Sequence, residues 1–245
     1  MLQTTQKMGM MIFERVESVF DKFFTQAWNP LYHLGALSFF FFWIVVFSGI
    51  YLFIFFDTSI STAYLSVESI THEHYYIGGI MRSLHRYASD AMLFLLTLHM
   101  IREFLMGRFR GARWFSWMTG VPLIWLVFAS GINGYWLVWD EKAQYIAIRT
   151  SEWFDWLPIF GMPLSQNFLN ENTLSDRFFS LLVFLHIGIP LFLLLMMWVH
   201  IQRMAMAKTN PPRGLAIGTL VCMVMLSIFK PALSMSEANL NQTVA

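Results

Sequence analysis

The chain has 245 residues, 57% hydrophobic and 13% charged, with a formal net charge of +1. A soluble domain carries about 25% charged residues, so this composition describes an integral membrane protein, and the near-neutral charge implies no nucleic-acid partner. Its one cysteine, Cys222, excludes an internal disulfide framework, a cysteine-bound zinc site and a cysteine-held iron–sulfur cluster within the chain.

Residues 1–30 hold charges throughout and lack the compact apolar core of a secretory signal, so no cleavable signal peptide is expected. Ile12, Phe13, Val16, Val19, Phe20, Phe23 and Phe24 recur at helical spacing, with Glu14, Arg15, Glu17, Asp21 and Lys22 between them. The pattern predicts an amphipathic helix that lies in the membrane interface, packs on the rest of the protein, or does both.

Four long apolar segments follow, at about 31–56, 79–105, 118–138 and 178–201. A helical bilayer crossing takes about 20 residues, so each is expected to span. A fifth segment, about 214–229, starts after the break at Pro211 and Pro212 and either spans with snorkelling ends or re-enters. The first connection, "DTSISTAYLSVESITHEHYY", is polar, and its His72 and His74 read as ordinary loop histidines rather than a metal or partner site. The second, "GRFRGAR", is a tight basic turn. The third, roughly 139–177, is long and is expected to fold into one or two short helices against the membrane surface.

Lysine and arginine set the orientation. The N-terminal stretch, the basic turn and the exit from the fourth segment hold Lys7, Arg15, Lys22, Arg102, Arg108, Arg110, Arg113, Arg203, Lys208 and Arg213, ten of the sixteen. The opposite side holds Arg82, Arg86, Lys142, Arg149, Arg177 and Lys230. The N-terminus is therefore expected on the cytoplasmic side, with the first and third connections outside.

The second segment contains His85 and His99, fourteen residues apart, and the fourth contains His186 and His200 at the same interval. Fourteen helical residues rise about 21 Å and return to within about 40° of the same face. If these two helices face each other, His85 meets His186 near one membrane surface and His99 meets His200 near the other. Two imidazoles approaching one point from opposite sides suit an axially ligated haem iron. Zinc would require a closed set of three or four ligands. The plainer alternative is four bundle histidines bonded to backbone or hydroxyl groups, and the repeated interval weighs against it.

Gly35 and Gly49 in the first segment, and Gly120 and Gly134 in the third, are also fourteen apart. Glycine lets a helix approach a flat ring closely, although close helix packing in membranes also favours it. Arg82 and Arg86 flank His85, while Arg102 and Arg203 each follow a histidine by three residues. These four are candidate partners for haem propionates, and Arg102 and Arg203 equally suit topology anchors in the headgroups.

"RSLHRYASDAMLFLLTLH", the paired glycines and "HIGIPLFLLLMMWVH" resemble cytochrome b of the cytochrome bc and b6f complexes, and "GYWLVWDEKAQY" resembles the family's motif leading into the external quinol-site helices. The likeness covers roughly 8–210, the N-terminal half of a full cytochrome b, and is nearest in extent to cytochrome b6. It implies two non-covalent b haems, the low-potential one on His85 and His186 and the high-potential one on His99 and His200. The position of the covalent-haem cysteine of cytochrome b6 is occupied by His33 here, so no covalent haem is expected. Where the family usually has proline and arginine, this chain has Val138 and Leu181, with Arg177 about one turn earlier. The Pro-Glu-Trp-Tyr motif of the outer quinol site belongs to the C-terminal half, and "SEWF" at 151–154 lies in the wrong region to replace it.

The expected fold is all-α. It comprises an amphipathic surface helix over 1–30, a four-helix di-haem bundle over 31–210, and a fifth membrane helix with a polar tail over 211–245. The expected function is a di-haem b-type subunit carrying electrons across a membrane, exchanging them with quinone or quinol. Glu103, Asp21 and His33 are positional candidates for quinone protonation. Its partners would be a Rieske protein and a C-terminal cytochrome b half, in a complex that is a dimer by resemblance, in the bacterial cytoplasmic membrane. The alternative is a di-haem membrane anchor for a different iron–sulfur or cytochrome subunit, without a bifurcating outer site. Haem-free transport or structural roles form a third class.

Overall fold

The computed structural model describes residues 2–74, 77–156, 169, 174–204 and 206–239. Among them are eight α-helices and no strand: α1 (Leu2–Trp28), α2 (Leu34–Phe55), α3 (Ala63–His72), α4 (Ile77–Leu105), α5 (Trp114–Trp136), α6 (Glu141–Asp155), α7 (Asp176–Ile201) and α8 (Arg213–Phe229). The expected helix over the first half of the long third connection is α6; its second half, including "LPIFGMPLS", lies outside the described residues.

Among the described residues, three helical stretches are long and apolar enough to cross a membrane: α2, Gly111–Trp136 and α7. The fourth expected span, α4, has 29 residues, about 43 Å of helix, but it is broken by Arg82, Arg86, Asp90, Arg102 and Glu103. The reason is its position. It packs along α2, touches α1, α3, α5 and α8, and can therefore satisfy charges that a lipid-facing helix cannot.

The bundle is assembled from two tight pairs, α2 on α4 and α5 on α7. Between helices in lipid, close packing rather than water exclusion supplies the attraction, and small residues let backbones approach. Phe41, Phe42 and Ile44 of α2, Leu84, Ala88 and Met92 of α4, Leu123 and Val127 of α5, Leu193 of α7 and Met223 of α8 form one buried core midway along the bundle. Pro122 and Pro190 sit inside α5 and α7, as membrane helices tolerate.

Helix α1 lies across one end. Gln6 Nε2 donates to the Phe104 carbonyl (2.8 Å), and Arg102 Nε donates to Glu17 Oε1 (2.8 Å). Much of the predicted apolar face points away from the bundle: Ile12, Val16, Val19 and Phe24 are exposed, and Phe23 is 79% exposed. The residue turned inward is instead the carboxylate of Glu17, 6% exposed. The expected packing on the rest of the protein is present, and the apolar face is left exposed.

Helix α8 runs from this end to the other. Gly214 abuts the Trp28 indole, and the Lys230 carbonyl accepts from Tyr87 Oη of α4 at 2.6 Å. Residues 230–239 then form a strap across the far end. Ala232 N donates to Ser83 Oγ (2.9 Å), Arg82 Nη2 to Ser234 Oγ (2.6 Å) and Tyr64 Oη to the Met235 carbonyl (2.9 Å). Asp140 caps α6 by accepting from Ala143 N (2.7 Å), and its other oxygen accepts from Met235 N (2.9 Å).

Candidate functional site

The four histidines fall into two groups at opposite ends of the bundle, each taking one ring from α4 and one from α7. The His85 and His186 ring centroids lie 6.2 Å apart at an interplanar angle of 68°. His99 and His200 face one cavity of about 370 Å³, which Gly35, Gly120 and Arg102 also line.

Each glycine seats one of these rings. A Cβ at Gly49 would stand 3.0 Å from His85 Cε1, one at Gly35 3.3 Å from His99 Cε1, and one at Gly120 3.2 Å from His200 Cε1. A Cβ at Gly134 would overlap His186 Cε1. Sequence spacing placed the glycines beside a flat ring. Here the rings they abut are the imidazoles of the partner helix, because α2 packs on α4 and α5 on α7.

Three of the four rings are anchored through Nδ1. For His85 the partners are the Val45 carbonyl at 3.0 Å and Ser48 Oγ at 3.2 Å; for His186, the Ser130 carbonyl at 3.0 Å; for His200, Thr119 Oγ1 at 3.0 Å. A neutral imidazole whose Nδ1–H is donated to an oxygen presents Nε2 as its lone-pair nitrogen. A metal–imidazole bond is about 2.0–2.1 Å; adding a ring radius on each side brings two imidazoles sharing one metal to about 6 Å between centroids. The 6.2 Å pair fits that requirement. Among the described residues no group of three or more His, Cys, Asp or Glu gathers as a closed metal site would need.

The arginines are more committed than their spacing suggests. Arg82 donates to Thr71 Oγ1 (2.5 Å) and Ser234 Oγ and lies 3.7 Å from Glu68. Arg102 pairs with Glu17. Arg86 pairs with Asp90 at 3.0 Å and covers the Tyr135 ring, while Arg203 lies 4.6 Å over Phe115. At the His99/His200 end, Glu103 pairs with Arg108 at 2.7 Å and Arg113 at 3.8 Å. Asp21 accepts from Asn29 and Tyr32, and His33 Nε2 lies 3.1 Å from the Ala27 carbonyl while lining the cavity. His72 makes a helix-surface pair with Glu68, and His74 lies against Phe55.

Sequence reasoning missed Ser48, Thr119 and Glu17. A signal for the first two was present: each immediately precedes a glycine of the fourteen-residue pairs. Glu17 had none, because its spacing is that of the charges around it.

Residues 19–208 match the family model described as Cytochrome b/b6/petB. Among solved structures, a chain of "Hyperthermophilic respiratory Complex III" superposes with a TM-score of 0.74 at 20% identity, covering 94% of this chain and 70% of that one. At that identity the likeness concerns the fold.

Proposed function

The chain belongs to the cytochrome b/b6 family, and from that premise we propose that it is a di-haem electron-transfer subunit of a quinol/quinone oxidoreductase complex of bc or b6f type. The observation that carries this reading is the seating of the four imidazoles. Each rests on a glycine of the neighbouring helix, and three are held at Nδ1, which leaves Nε2 for a metal. We assign His85 and His186 to one b haem and His99 and His200 to the other. Iron held between two imidazoles supplies reversible one-electron oxidation and reduction.

The remaining residues hold and insulate. Gly35, Gly49, Gly120 and Gly134 set the ring positions, and the core between the two sites excludes water. Arg203, over the Phe115 ring, is the better propionate partner. Arg82, Arg86 and Arg102 already share their charge with Glu68, Asp90 and Glu17. Residues 31–210 form the haem-binding unit, with 1–30 lying on its surface and 211–245 adding a fifth helix and strap. Arg102, Arg108, Arg113 and Lys208 around the cavity support a cytoplasmic position for the His99/His200 end and for the N-terminus, in a bacterial membrane. The same cavity is the proposed place for quinone exchange.

A second reading, a di-haem anchor for a different dehydrogenase or reductase, is favoured by Val138 and Leu181 where the resembling family usually has proline and arginine. Purification of the native complex in mild detergent, with mass spectrometry of every accompanying chain, separates the two. A Rieske protein and a subunit bearing the outer quinol-site motif support the first. A molybdenum, flavin or multihaem subunit without that half supports the second. Absence of a b-type spectrum from the purified complex would refute both.

A further inference from the structure

The two ends of the bundle repeat a small constellation that the haem reading alone does not require. On α2, Ser48 Oγ donates to the Ile44 carbonyl at 2.7 Å, lies 3.1 Å from the Val45 carbonyl, and stands 3.2 Å from His85 Nδ1, which the Val45 carbonyl also approaches at 3.0 Å. On α5, Thr119 Oγ1 lies 2.9 Å from the Phe115 carbonyl and 3.2 Å from the Ser116 carbonyl, and stands 3.0 Å from His200 Nδ1. In both cases the next residue is the glycine on which the same imidazole rests: Gly49 under His85 and Gly120 under His200. The hydroxyl–glycine pair thus occurs once per site, on different helices and against rings of different helices. Ser48 is 1% exposed, so its hydroxyl has no water to serve.

An imidazole that offers Nε2 to iron carries its proton on Nδ1. A group at Nδ1 is then an acceptor. The single hydroxyl proton of Ser48 or Thr119 goes to its own helix carbonyl, which leaves an oxygen lone pair turned to the ring. We propose that Ser48 and Thr119 are positioning residues. Each fixes the rotation of one of the four histidines on its glycine seat and, by accepting the Nδ1–H, which at His85 it shares with the Val45 carbonyl, raises the electron donation of that ligand to iron. Among the described residues the opposite ligands lack this device: His186 Nδ1 meets the Ser130 carbonyl, and no hydroxyl stands at His99 Nδ1. Each haem would therefore have one hydroxyl-set ligand, tunable independently of the other haem.

This inference rests on the di-haem reading. The test is redox potentiometry and low-temperature EPR of the purified complex carrying Thr119→Val, Thr119→Ser or Ser48→Ala. Thr119→Val keeps the side-chain shape and removes the acceptor. It is expected to raise the midpoint potential of one haem only and to move that haem's g-values. The expected change in reduction equilibrium constant is severalfold to tenfold, the latter reading as about 59 mV for one electron. Thr119→Ser is expected to restore the native values. Ser48→Ala is expected to move the other haem alone, in the same direction and by less, because the Val45 carbonyl still accepts from His85 Nδ1. Unchanged or lowered potentials with both haems retained would overturn the inference. A native complex without b-type haem would refute the underlying reading instead, and the two failures are distinguishable before any variant is made.

Discussion

Alanine at the four glycines should produce a graded series, ordered by how closely the new methyl group meets its imidazole. A carbon–carbon contact is optimal at about 3.5–4.0 Å. At Gly35 the nearest ring atom would be 3.3 Å from the new Cβ, so the His99 ring must yield only a few tenths of an ångström. The helix propensity gained on replacing glycine by alanine, about 1 kcal/mol, offsets that cost, and Gly35→Ala should be close to neutral. At Gly134 the new Cβ overlaps His186 Cε1 and lies 3.0 Å from Nδ1, so the ring must withdraw by roughly 1 Å to reach ordinary contact. Withdrawal on that scale breaks the 3.0 Å bond to the Ser130 carbonyl. Overpacking costs about 1–3 kcal/mol and the lost hydrogen bond about 1 kcal/mol, so Gly134→Ala should be destabilising by about 1–3 kcal/mol after the propensity gain. Gly49→Ala and Gly120→Ala, at 3.0 and 3.2 Å, should fall between. The assay is b-type haem per chain from the visible spectrum, with a thermal melt of the purified complex. Full haem content and an unchanged melt in Gly134→Ala, or a larger loss in Gly35→Ala, would refute the seating argument.

Other substitutions test the frame around the site. Glu17→Ala leaves Arg102 buried without its 2.8 Å partner and should destabilise the protein by about 3 kcal/mol, read as a lower melting temperature and earlier proteolytic release of α1. Asp140→Ala removes the cap of α6 together with an anchor of the strap. A cost of about 1–2 kcal/mol and faster cleavage within 230–239 are expected. Partial burial, then the hydrogen bond and charge of Asp21, hold the Tyr32 phenol above its ordinary 10.0. A raised folded-state pKa means the contribution is intact below pH 10 and is lost as pH rises through the folded value. The Tyr64 phenol is also raised, by burial and then Glu68, so phenolate absorbance in an alkaline titration should lose one late-titrating tyrosine in Tyr32→Phe and keep another.

The frame of this protein was legible because its signals are local and periodic. A fourteen-residue interval on a helix is a statement about one face and one distance, whatever surrounds it, and the segments predicted for α2, α5 and α7 agree with the observed helices to within a few residues. The same locality limits it. Arg102 and Arg82 sit where propionate partners would, yet Glu17 lies 85 residues from Arg102 and Ser234 lies 152 from Arg82. Nothing in the spacing near either arginine announces those partners. The fifth segment was ambiguous for a related reason. Its 17 residues are short for a crossing, and only the hydrogen bonds of its flanking residues show that it reaches the far end.

Composition and periodicity by themselves determined an all-helical membrane bundle with two helices that each carry a histidine at two levels of one face, since helix geometry converts sequence distance into rise and face. The tertiary structure decided which helices face each other, which helix seats which ring, which oxygens stand at Nδ1 and which arginines are already paired. Those choices depend on α2 packing against α4 and α5 against α7, and contacts between separate helices carry no fixed interval along the chain.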